Sequence, residues 1–125
     1  MTKIETTNAP GAIGPYSQGM KSGKLVFTSG QIPLDPVTGA IVGDTIEAQS
    51  EQALKNLQAV LEAGGAALGT VIKTTCFLSD MGNFAAFNAV YAKFFTGDCP
   101  ARSCVAVKTL PKGVMVEVEA VAETE

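Results

Sequence analysis

The sequence predicts a two-layer α+β domain, a mixed and mostly antiparallel sheet with two helices packed on one face. Three observations carry this expectation. At 125 residues the chain is long enough for one hydrophobic core and too short for two. Two segments repeat apolar residues at helical spacing. The other apolar runs are short, rich in β-branched residues and punctuated by Gly and Pro, as in strands joined by turns.

Taken in order, residues 8–20 (NAPGAIGPYSQGM) are dense in Gly and Pro and read as loop, leading into a short strand near Ser17 to Lys21. Ser22-Gly23 is a turn signal. KLVFTSGQIPL continues as a β run, with Leu25, Phe27 and Ser29 alternating against Val26 and Thr28. DPVTG, Asp35 to Gly39, has the Pro and Gly placement of a tight turn.

DTIEAQSEQALKNLQAVLEAGG is the clearest helix. Asp44 and Glu47 resemble a capping box, Ile46, Ala53, Leu54, Leu57, Val60 and Leu61 recur on one face, and Gly64-Gly65 ends the run. Thr70 to Ser79 is β-branched and predicts a strand. NFAAFNAVYAKFF predicts a second helix whose Phe84, Phe87, Val90, Tyr91 and Phe94 form an aromatic, core-packing stripe. The tail SCVAVKTLPKGVMVEVEAVA reads as two strands joined around Leu110 to Gly113, hence a hairpin. The order is roughly β-β-β-α-β-α-β-β, in one domain over residues 1–125.

Composition narrows the chemistry. Hydrophobic residues make up 46% and charged residues 17%, little charge for a free surface, which leans toward an oligomer. Net charge is −3 with no basic stripe, an expectation of no nucleic-acid partner. There is no apolar run of about 18 residues and no signal-peptide pattern, so no membrane is expected and the cytoplasm is the expected location. Three cysteines without CxxC spacing suit a reducing compartment. The chain has no histidine, which removes Ser-His-Asp and Cys-His catalysis and the usual zinc or iron sites. No phosphate-cradling glycine motif occurs. No metal and no cofactor is expected.

Arg102, in CPARSCVAV, sits where a strand pattern asks for an apolar residue. On the hairpin expectation, pairing Thr109 opposite Val114 groups Val105 and Val107 with the valines of the last strand on the helix side. Arg102, Cys104 and Ala106 then share the opposite face with Glu117 and Glu119. That face is either plain solvent, with an exposed ion pair of little worth, or a cleft in which Arg102 forks a carboxylate and a Glu handles protons. Cys104, without a histidine to activate it, reads more as a small packing residue than as a nucleophile.

AIGPYSQG (12–19), FTSGQIPLDPVTG (27–39), NLQAVLEAGGAAL (56–68), FAAFNAVYAKFF (84–95), PARSCVAV (100–107) and VEVEAVA (116–122) resemble the RidA family. It is also called YjgF and, by older names, endoribonuclease L-PSP or translation initiation inhibitor. The resemblance spans nearly the whole chain in order and spacing. It implies a fold similar to bacillus chorismate mutase and a homotrimer with a central β-barrel, outer helices and clefts between subunits. It implies hydrolysis of reactive 2-imino and enamino acids, such as 2-iminopropanoate and 2-iminobutanoate, to 2-keto acids and ammonia, without cofactor or metal. By the same resemblance, Arg102 clamps the substrate carboxylate, Glu117 holds or activates water, and Cys104 lies beside them. Tyr16, Ser29, Gly30 and Asn88 line the cleft. Two other functions remain open: a small-carboxylate binder or holdase without turnover, and a ribonuclease or translation inhibitor, against which the acidic composition and missing histidine weigh.

Overall fold

The computed structural model describes all residues 1–125. Six strands form one sheet, β1 (Thr2–Ile4), β2 (Gly19–Ser22), β3 (Leu25–Thr28), β4 (Val71–Leu78), β5 (Ala101–Ala106) and β6 (Val116–Glu123), with helices α1 (Ile46–Ala63) and α2 (Phe84–Phe94). The sheet order is β1-β2-β3-β6-β4-β5, and only the β4–β5 pair is parallel. Both helices cover one face, as the sequence predicts. No helix is long and apolar enough to cross a membrane.

The first helix begins one residue later than expected. Thr45, not Asp44, is its N-cap, and the Thr45 hydroxyl accepts from the Ala48 N–H at 3.2 Å. Its apolar stripe is buried as predicted, from Ile46 through Leu61. Leu54, Leu57 and Leu61 are fully buried, each contributing about 1.5–3 kcal/mol by leaving water. Two polar residues on the buried side brace loops. Asn56 donates from Nδ2 to the carbonyls of Ile32 and Leu34, both at 3.0 Å, and Gln49 accepts from the Met115 N–H at 2.8 Å. These contacts hold the 31–42 segment and the approach to β6 against the helix. Strand β1 falls in a polar N-terminal stretch whose pattern signals no strand; pairing with β2 creates it.

The predicted C-terminal hairpin does not form. Strand β4 lies between β5 and β6, paired in parallel to the first and antiparallel to the second. The chain β4–α2–β5 is a crossover unit, and a helix between two strands brings them side by side in the same direction. Segment 107–115 is then long enough to pass over the end of β4 and start β6 on its far side.

This insertion changes the faces. Arg102 and Cys104 stand level with Thr74 and Cys76, whereas Glu117 stands level with Phe77. Odd spacing along β4 means opposite faces. The helix side therefore carries Arg102 and Cys104 together with Val116 and Val118. Glu117 and Glu119 share the uncovered face with Val105, which is 48% exposed rather than buried under the helices. The expectation that Arg102, Cys104, Glu117 and Glu119 share a face within one chain is thus corrected.

Candidate active site

The residues singled out in the sequence fall into two groups, one on each face of the sheet. The first is a cavity of about 660 Å³ whose lining includes Tyr16, Ser29, Gly30, Gln31, Lys112 and Glu117. Its geometry follows from a bulge. From Phe27 to Gln31 strand β3 and its continuation advance four residues while β6 advances three, from Val121 to Val118. The extra residue pushes the chain at Ser29-Gly30 out of the ladder. Gln31 and Val118 then resume pairing, with N···O distances of 2.7 and 3.0 Å.

The bulge lays the Gly30 backbone directly on the Glu117 carboxylate. A Cβ at position 30 would overlap the Glu117 carboxylate as it stands, so any larger residue there displaces that side chain. The Gly30 N–H has no partner within the chain and is free to donate. Glu117 is half-buried, and burial, with the neighbouring Glu119 charge adding to it, holds its carboxyl above the ordinary glutamate range. Ser29 does not present a free hydroxyl, since its Oγ donates to the Ser17 carbonyl and fastens two loops together. Tyr16 is half exposed on the lining.

Buried Gln18 braces the loop carrying Tyr16. Its Nε2 donates to the carbonyls of Thr6, Ala9 and Pro10, and its Oε1 accepts from the Thr6 N–H at 2.8 Å. The roles of Gln18 and Asn56 escape a sequence reading because both bond to backbone atoms far along the chain. Their one signal is a polar residue with a burial-type neighbourhood.

The second group lies where edge strand β5 meets α2. Arg102 Nη1 donates to Asn88 Oδ1 at 2.7 Å, and the guanidinium packs against two rings, 4.8 Å from the Tyr91 centroid and 5.4 Å from the Phe84 centroid. Tyr91 is itself fixed by a 2.8 Å hydrogen bond between its hydroxyl and Thr74 Oγ1. The helix stripe predicted as core therefore has a second duty, because Phe84 and Tyr91 also flank this arginine. No carboxylate lies within ion-pair distance of Arg102; the ion pairs are Lys3–Glu5 and Lys55–Glu51. One N–H is occupied and the others are available, on a charge whose orientation is set.

Cys104 packs against the core beside Arg102, and burial raises its thiol above the ordinary range, with the arginine charge only partly offsetting the shift. Cys76, its neighbour across the strand pair, is pushed up to about 12, first by desolvation. Neither is the low-pKa thiol that a nucleophile needs. The structure thus brings Tyr16, Ser29, Gly30 and Glu117 into one cavity, and Arg102, Asn88 and Cys104 into another place. It does not unite the two groups within one chain.

Comparison with known proteins places the chain in a family. The RutC family protein y4sK of Sinorhizobium fredii is 53% identical over 118 residues, covering 94% of each chain. A protein of Salmonella typhimurium named 2-iminobutanoate/2-iminopropanoate deaminase is 52% identical over 122 residues, covering 95% of this chain and 94% of that one. The crystal structure of Escherichia coli TdcF with bound serine superposes with a TM-score of 0.95 at 47% identity, covering all of both chains. The profile of the family described as endoribonuclease L-PSP matches residues 6–124. With its sheet order, two-helix layer and nearly end-to-end match, the chain belongs to the endoribonuclease L-PSP family, known also as YjgF or RidA.

Proposed function

We propose that this protein hydrolyses 2-imino acids, with their enamine tautomers, to 2-keto acids and ammonia, acting on short substrates such as 2-iminopropanoate and 2-iminobutanoate. The observation that carries the reading is Arg102. A half-buried guanidinium, oriented by Asn88 and two rings and matched by no carboxylate of its own chain, is a receptor for a carboxylate from elsewhere. The Salmonella relative named for this activity supports the substrate class.

Arg102 and the Glu117 cavity face opposite sides of one sheet, so a complete site requires two copies of the chain. The uncovered face supports association, since Phe27, Ile72 and Val105 are between 43% and 48% exposed on or beside it. In the proposed homotrimer the three uncovered faces close into a barrel. Arg102 at the edge of one subunit then meets the cavity holding Glu117 and Gly30 of the next. Asn88 acts through Arg102 and is a positioning residue.

The chemistry asks little of the protein. An imine carbon is already electrophilic, so orienting a water and moving protons suffices, with no metal or organic cofactor in the step. Arg102 holds the α-carboxylate. Starting from the protonated imine, Glu117 accepts a proton from the attacking water as the C–O bond forms, giving a neutral carbinolamine, and then returns that proton to the nitrogen. As the C–N bond breaks and ammonia leaves, Glu117 takes the hydroxyl proton so that the keto group forms, and passes it on to the departing ammonia. A carboxyl raised toward neutrality is better matched to that exchange than an ordinary one. The free Gly30 N–H can hold the water or the developing oxygen.

The test generates 2-iminobutanoate in situ and follows its loss. Wild type accelerates the loss and Arg102→Ala abolishes most of the effect. No acceleration, or equal acceleration by both, removes the deaminase reading and leaves binding without turnover. Sedimentation is expected to report a trimer, and a monomer would contradict the shared site.

A further inference from the structure

The cavity lining holds one cationic side chain, and the proposed reaction does not use it. Lys112 borders the cavity of about 660 Å³ from the loop before β6. It sits in a tight turn closed by the Gly113 N–H on the Leu110 carbonyl at 3.0 Å and the Val114 N–H on the Pro111 carbonyl at 3.3 Å. Its φ of 58° makes it the one non-glycine residue in the left-handed region. Glycine adopts that conformation freely, and lysine does so only under strain. Strained residues of this kind cluster at functional sites, which directs attention to what the side chain does.

The Lys112 ammonium has no carboxylate within ion-pair distance. The other acid on the lining besides Glu117 is Asp35, and it is engaged in its own turn. Its Oδ1 accepts from the N–H groups of Val37 and Thr38 at 2.8 and 2.9 Å. Lys112 is therefore the unpaired cation that the cavity's own chain supplies. The cavity volume within the single chain also lies in the range of pockets that hold small ligands, about 300–1,000 Å³.

We propose that Lys112 selects imino acids whose side chain ends in a second carboxylate, its ammonium pairing with that distal group. The substrates then include short 2-imino dicarboxylates beside the monocarboxylates, hydrolysed by the same addition of water and loss of ammonia to 2-oxo dicarboxylates. The turnover part of this inference rests on the deaminase reading, whereas the charge contact can be measured by binding alone.

The experiment compares kcat/KM for 2-iminoglutarate and 2-iminobutanoate in wild type, Lys112→Asn and Lys112→Arg, asparagine being chosen because it tolerates the left-handed backbone. The ratio of dicarboxylate to monocarboxylate is expected to fall about tenfold in Lys112→Asn and to recover in Lys112→Arg, as loss and return of a charged hydrogen bond require. A ratio within about twofold of wild type in Lys112→Asn overturns the proposal, as does a failure of Lys112→Arg to restore it. If wild type hydrolyses neither imine, the deaminase reading falls, and calorimetry with 2-oxoglutarate and 2-oxobutanoate decides the Lys112 contact. Preference for the diacid that disappears in Lys112→Asn supports the contact, and equal affinities overturn it.

Discussion

Replacing Arg102 by lysine keeps the charge and removes the planar fork, which isolates what orientation is worth. In the structure Asn88 Oδ1 takes one N–H at 2.7 Å, and the rings of Tyr91 and Phe84 flank the guanidinium. The outward edge can then give a carboxylate two parallel bonds. A lysine ammonium, compact and rotatable, offers one well-aligned bond and loses the stacking that holds the group still. Losing one charge-assisted bond costs about 1.5–3 kcal/mol, or roughly 10- to 150-fold at about 1.4 kcal/mol per factor of ten. Arg102→Lys is therefore expected to lower kcat/KM for 2-iminobutanoate nearly as far as Arg102→Ala, with fold and assembly unchanged by circular dichroism and sedimentation. Asn88→Ala, which frees the guanidinium without removing it, should fall between the variants and wild type. A lysine variant within about threefold of wild type would show that net charge alone suffices, and would refute the argument from the fork.

Gly30→Ala drives a methyl group into the Glu117 carboxylate and should remove most activity while leaving the helical signal intact; retained activity would mean that the bulge is not part of the site. Glu117→Gln is expected to be more stable than wild type at neutral pH. The folded-state pKa is raised, so the favourable contribution of the protonated form is complete below the unfolded value near 4.5 and is lost as pH rises through the folded one. The stability difference between variant and wild type should accordingly vanish in acid, and urea titrations that show it growing there would contradict the sign. Asn56→Ala strips hydrogen bonds from the carbonyls of Ile32 and Leu34, with an expected loss of about 2–4 kcal/mol in the same titration. A loss under about 0.5 kcal/mol would mean that water replaces the amide at no cost.

How far the sequence could be read depended on how local each determinant was. The first helix was legible because its stripe, from Ile46 to Leu61, and its glycine stop act over neighbouring turns. The bulge at Ser29-Gly30 was legible only as a glycine in a β run, since its consequence depends on Glu117, far along the chain. Asn88 read as a cleft residue, and the structure shows its carbonyl oxygen committed to Arg102. Lys112 gave no signal at all, because the backbone of the turn, not its residue type, sets it apart.

By itself the sequence determined the two-layer class, the buried stripes and the absence of histidine chemistry, from composition and from periodicity within single elements. The residues worth testing came from the resemblance to the RidA family laid over that pattern. Tertiary structure alone decided which of those residues meet. Alternation along a strand says which side chains share its face, but not which strand lies next to it. Once β4 enters between β5 and β6, Arg102 is level with Thr74 and Glu117 with Phe77. That odd offset puts the arginine and the glutamate on opposite faces of the sheet, and so separates within one chain what alternation alone had grouped together.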